Sequence, residues 1–156
     1  PEERGVMNLN KWVTPNKRFK FKEFFVSKRM PNYMKHVLVD YEDMAIIRLG
    51  VESVLDPIAN AVKEEFGKKM PVEITSGYRT ITLNNRVGGS TSSDHLYFCA
   101  VDIKVPSVPG YVLKDIIFKR LPTLPFKQLI SYTRKPHIHV SWNIPERPYK
   151  REVFTI

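Results

Sequence analysis

Cysteine is almost missing from this sequence. The single residue, Cys99, among 156 excludes an internal disulfide framework, so the fold must rest on its apolar core and on any metal it binds. Long apolar runs are missing too. No stretch reaches the roughly 18 residues that a membrane-spanning helix requires, and no apolar signal segment opens the chain. We therefore expect synthesis in the cytoplasm and a separate route of exit for any work outside it. Acidic residues are scarce, 16 against 25 Lys and Arg, which leaves a formal charge of +9. That balance favours polyanions such as nucleic acid, anionic lipid or acidic envelope polymers. No helix-turn-helix, zinc-finger or aromatic strand motif supports a specific nucleic-acid reader. The basic residues are spread along the chain, with modest density at Lys17 to Lys22, Lys68 and Lys69, and Arg147 to Arg151.

What is present suffices for one hydrophobic core and not comfortably for two. We expect residues 1–7 to be an N-terminal extension and residues 8–156 one domain, acting as a monomer. Phe19, Phe21, Phe24 and Phe25 alternate with Lys and Glu and then close on a helix-like pair, which suggests an arm packed on that domain. From Asp40 onward, Met44, Ile47, Val51, Val54, Leu55, Ile58, Val62 and Phe66 recur at three- and four-residue steps, one apolar stripe of a helix. Pro57 either kinks this helix or starts a second one with Asp56 as its cap. Val72 to Thr75, Ala100 to Val105, Phe126 to Tyr132 and His137 to Trp142 read as strands, and Pro109 to Leu121 as a helix. Gly88 to Ser93 reads as a flexible loop.

Histidine is the other scarce residue, and its placement is uneven. Of four, His36 stands apart, while His95, His137 and His139 fall in two short polar-rich segments. On the strand from Ala100, Val101, Ile103 and Val105 take the buried face, so Asp102 points the other way, seven residues after the loop residue His95. The two-residue period of the strand at His137 puts His137, His139 and Ser141 on one face and Ile138, Val140 and Trp142 on the other. Two imidazoles and a carboxylate are a ligand set that zinc accepts, and a catalytic zinc keeps three protein ligands beside a water. A loop histidine and a His-x-His pair also occur as ordinary surface or hydrogen-bonding residues, so residue types alone leave the matter open.

Ser76-Gly77-Tyr78-Arg79, Gly88-Gly89-Ser90, Ser93-x-His95 with Ala100-x-Asp102, and His137-x-His139-Val140-Ser141 follow one another in this order. The series resembles the zinc D-Ala-D-Ala peptidase family, which includes bacterial D-Ala-D-Ala carboxypeptidases and phage endolysins; the hedgehog signalling domain is similar in its zinc site. The resemblance implies an α+β fold, a small antiparallel sheet bearing a zinc cleft with helices packed on its other face. It implies zinc as cofactor, with His95, Asp102 and His139 as metal ligands and His137 and Arg79 as catalytic residues, Arg79 binding a substrate carboxylate or carbonyl. The implied substrate is a peptidoglycan stem peptide containing D-amino acids. The implied setting is a phage product reaching the cell wall by assisted release or within the virion, held near anionic envelope polymers. Two departures stand out. The family usually has glycine where this chain has Phe98, and a carboxylate a few residues before the last zinc histidine, where this chain has Tyr132, Thr133, Arg134, Lys135 and Pro136. A zinc-containing pseudoenzyme that binds a peptide or serves the virion is therefore the competing expectation.

Overall fold

The structure, a computed structural model, describes residues 8–26, 39–145 and 151–156. The 1–7 extension, His36 and most of the basic stretch before Arg151 lie outside the described residues. The fold is α+β. Five strands, β1 (Glu73–Ser76), β2 (Ala100–Lys104), β3 (Phe126–Ser131), β4 (Ile138–Trp142) and β5 (Glu152–Thr155), form one sheet in the order β1-β2-β4-β3-β5. The first three pairings are antiparallel, but β5 lies parallel to β3. The expected antiparallel sheet is thus a mixed one. The reason is the last strand, which returns from beyond Trp142 to pair with the far edge of β3 rather than forming a hairpin.

One long helix backs the sheet. It begins at α1 (Tyr41–Gly50), where the Asp40 carboxylate accepts from the backbone N–H of Asp43 at 2.9 Å and the Asp43 carboxylate answers on the Asp40 N–H. It continues through a π-helical stretch, Val51–Leu55, into α2 (Asp56–Phe66), and stops at Gly67 in the left-handed conformation. Pro57 neither kinks the chain into two helices nor leaves Asp56 as a cap. Pro57 has no N–H to donate, and the preceding N–H of Asp56 bonds to Val51 O, five residues back, so the helix widens for one turn instead. The Asp56 carboxylate is spent elsewhere, on Thr14 Oγ1 and Asn16 Nδ2 of the N-terminal segment.

The apolar stripe of this helix lies in one core cluster with α4 (Gly110–Arg120) and the inner face of the sheet. Ile47, Val54, Leu55, Ile58 and Val62 share it with Leu113, Ile117, Val101, Ile103, Leu129, Ile138 and Val140, all fully buried. Each such side chain contributes about 1.5–3 kcal/mol on burial. Trp142, at the end of β4, lies against the helix and donates its indole N–H to Ile46 O at 3.1 Å. Gly50 is required there, because a Cβ would overlap the Trp142 ring. The aromatic arm packs as expected: Phe19, Phe21, Phe24 and Phe25 are all buried, the last three in a 3-10 turn, Phe21–Phe25. Among the described residues no helix is long and apolar enough to cross a membrane.

Candidate metal centre

Strand alternation decides which side chains leave the core. On β2 and β4, Val101, Ile103, Ile138, Val140 and Trp142 turn inward, so Asp102 and His139, which are register partners, emerge side by side on the opposite face. His95 reaches the same point from a short 3-10 turn, Asp94–Tyr97, opened by the Ser93 hydroxyl accepting from the His95 N–H. The rings of His95 and His139 meet edge to face at 5.1 Å.

A chain of backbone contacts holds His95. Tyr78 N–H donates to Phe24 O at 2.6 Å, which fixes the turn after β1 against the aromatic arm; a Cβ at Gly77 would overlap the Phe24 backbone. The carbonyl of Gly77 then faces His95 Nδ1 at 2.7 Å, and Arg79 N–H donates to His95 O at 3.0 Å. Because Nδ1 must donate to that carbonyl, a neutral His95 ring presents a bare lone pair at Nε2. Burial lowers the His95 pKa, which favours the neutral ring despite the Asp102 carboxylate beside it.

The lone pair points at another acceptor. His95 Nε2 and His139 Nδ1 each lie 3.3 Å from the same carboxylate oxygen, Oδ1 of Asp102. The three ligand atoms lie within 4.8 Å of one another, and all three residues are buried. Burial alone would raise the Asp102 carboxyl, but His95 and His139 hold it well below the usual carboxylate range. His139 Nδ1 can meet Asp102 Oδ1 as a donor, but a neutral His95, whose Nδ1 donates to Gly77 O, faces that oxygen with a lone pair; a cation between them would turn this contact favourable, and the donor set with its outer hydrogen bond suits zinc.

Around these residues a cleft of about 680 Å³ opens, lined also by Arg79, Ser90, Lys127, Tyr132 and Glu152. Arg79 reaches it from the turn after β1. Its Nη2 lies 3.6 Å from Asp102 Oδ2, and its other contacts, to Ser76 Oγ and Asn84 Oδ1, are at 3.4 Å. Asn84 belongs to α3 (Ile81–Arg86) and ties the glycine loop by donating to Ser90 O at 2.8 Å. His137 precedes β4, half-buried, its ring 5.0 Å from that of Tyr132. Burial lowers the His137 pKa, and burial with the Asp102 charge pushes the Tyr132 hydroxyl up to about 12.

The structure thus brings His95, Asp102, His139 and Arg79 together, with His137 beside them against Tyr132 rather than in the ligand cluster. Phe98, where a glycine was the expectation, adopts the left-handed conformation at φ 63 that glycine would favour. Its ring stacks on Tyr78 at 3.9 Å, so packing offsets the backbone cost. Sequence reading missed the buried ion pair between Lys127 Nζ and Asp94 Oδ1 at 2.9 Å, and it missed Glu152. Glu152, Val153, Phe154 and Thr155 do not alternate and give only a weak strand signal, and only pairing with β3 puts Glu152 in the cleft. A groove of about 640 Å³ lined by Lys17, Arg18, Lys63 and Lys69 shares no residue with this cleft.

Against known families, residues 39–141 match the model described as Peptidase M15. A comparison with curated proteins finds no match.

Proposed function

Because the chain belongs to the peptidase M15 family, whose members are zinc metallopeptidases, we propose that it is a zinc-dependent peptidase cleaving D-amino-acid-containing stem peptides of bacterial peptidoglycan. One observation carries this reading: His95 Nε2 and His139 Nδ1 converge on Asp102 Oδ1, with His95 Nδ1 committed to Gly77 O. These three residues would hold the ion. When bound, zinc supplies a Lewis acid for the scissile carbonyl and a water that ionises near neutral pH.

The chain's own residues divide the remaining work. Arg79 carries a fork of donors held only by contacts of 3.4 Å and longer, so it is free to turn onto a substrate carboxylate or carbonyl in a bidentate contact. Tyr132, kept protonated by its raised pKa, offers its O–H to a substrate in the cleft. His137, kept neutral by burial, accepts the proton at a ring nitrogen that the family's usual carboxylate would take. In this reading the protein is one domain over residues 8–156, a monomer, and phage-encoded. It meets the wall by assisted release or as part of the virion, and its 25 basic residues against 16 acidic ones hold it near anionic envelope polymers.

A second reading has its own observation. Tyr132 to Pro136 contains no carboxylate, which favours a zinc-containing relative that binds wall peptides, or serves the virion, without cutting them. Incubation of the zinc-loaded protein with D-amino-acid peptides and purified peptidoglycan, followed by mass spectrometry, separates the two. New fragments are expected. A filled metal site with no cleavage of any wall peptide would overturn the enzymatic reading in favour of the second.

A further inference from the structure

The charges in the cleft do not balance. Three side-chain carboxylates line it, Asp94, Asp102 and Glu152, and two cationic side chains, Arg79 and Lys127. Lys127 is spent on Asp94 at 2.9 Å and Arg79 faces Asp102 at 3.6 Å. Glu152 is left over. Its Oε1 accepts from Gln128 Nε2 at 3.2 Å, and among the described residues it forms no ion pair, in a chain with an excess of nine cations. The neighbouring Arg151 turns away, donating to Pro122 O and lying over the Phe126 ring. A half-buried carboxylate with one neutral partner is incompletely compensated, and it sits in the same cleft as His95, Asp102 and His139.

Register gives its distance from them. Asp102, His139, Ile130 and Phe154 form one row across β2, β4, β3 and β5, and Ala100, Ser141, Gln128 and Glu152 form the next row on the same face. Glu152 is two strands from His139, about 10 Å, and one row along, about 7 Å, hence about 12 Å between backbones. The Glu152 carboxylate is not among the ligand atoms that converge at the metal site. The separation of about 12 Å equals the length of about three residues of extended peptide.

We propose that Glu152, oriented by Gln128, is a specificity residue that binds a primary ammonium group of the substrate about three residues from the scissile bond. This rests on the peptidase reading and adds a substrate class to it, peptides carrying a cation at that place. Gln128 Nε2 fixes one carboxylate oxygen, and Oε2 remains for the ammonium in a charge-assisted hydrogen bond. The ammonium belongs either to a side chain or to a peptide N-terminus.

The test uses zinc-loaded protein and a set of D-amino-acid peptides in which one lysine is walked away from the scissile bond. Each peptide is made with the ε-amine free or acetylated, and each again with the α-amine free or acetylated. Binding is measured by calorimetry and cleavage by kcat/KM. One free amine, at one position, should improve both by roughly tenfold, the scale of a single charged hydrogen bond. Glu152→Gln should bring that ratio close to one, and Glu152→Lys should invert it toward a peptide with a carboxylate at that position. The acetylation arm that removes the effect identifies the amine. Cleavage without any amine preference, or a preference that survives in Glu152→Gln, would overturn this proposal and leave the peptidase reading intact. Amine-dependent binding without cleavage would uphold Glu152 and overturn the peptidase reading. Failure to bind any peptide would overturn both.

Discussion

Replacing Phe98 by glycine tests whether the ring or the backbone governs that position. The left-handed φ of 63 costs a side-chain-bearing residue about 1–2 kcal/mol, which glycine would recover. Against this stands the ring itself, stacked on Tyr78 at 3.9 Å and meeting Phe25 at 6.2 Å, partly buried against the core. The stack is worth about 0.5–1.5 kcal/mol beyond its area. Half of a phenylalanine's burial adds about 0.8–1.5 kcal/mol, and the greater freedom of unfolded glycine removes about 0.5–1 kcal/mol more. The losses exceed the gain by about 1.5 kcal/mol, which in a chain of this size lowers Tm by about 3–6 °C. Phe98→Ala loses the ring without relieving the backbone and should fall lower still. Thermal unfolding of the three proteins, each with and without zinc, supplies the order Phe, Gly, Ala. A glycine variant as stable as the parent, or more so, would refute the claim that stacking on Tyr78 compensates the strain.

Lys127→Met leaves the buried Asp94 carboxylate without the ammonium that lies 2.9 Å away, and should cost about 3 kcal/mol in urea unfolding; adding Asp94→Asn should restore part of it. A single variant as stable as the parent would mean that the pair contributes little. Gly50→Ala should destabilise by about 1–3 kcal/mol, because its Cβ overlaps the Trp142 ring; an unshifted Tm would show that the helix moves freely over the sheet. His137→Ala should reduce peptide hydrolysis by about 10² to 10⁴-fold with zinc content unchanged, and undiminished turnover would remove His137 from the proton path.

The parts of the fold that follow short-range periodicity were legible in the sequence. Alternation along Ala100 to Lys104 and Ile138 to Trp142 sorted Asp102 and His139 from the core residues between them, and the structure pairs those two strands in register. The apolar stripe from Met44 to Val62 likewise marked one side of the long helix. Features that depend on distant partners were not legible. The parallel strand β5 exists because β3 offers it an edge, so neither the mixed sheet nor the place of Glu152 could be read from residues 152–155. Phe98 in the left-handed region makes sense only once Tyr78 lies beneath its ring. The π-helical turn before Pro57 is a compromise between a missing donor and an uninterrupted buried stripe, which propensity alone does not foresee.

The central claim is that His95, Asp102 and His139 are metal ligands, and elemental analysis of protein purified without chelator tests it most directly. One zinc per chain is expected, lost in His139→Ala and restored to the parent after dialysis against the metal. Zinc at a hundredfold excess over its Kd should also stabilise the parent by about 2.7 kcal/mol and the variant far less. A parent protein that holds no zinc, takes up none, and unfolds at the same temperature with and without it would contradict the account.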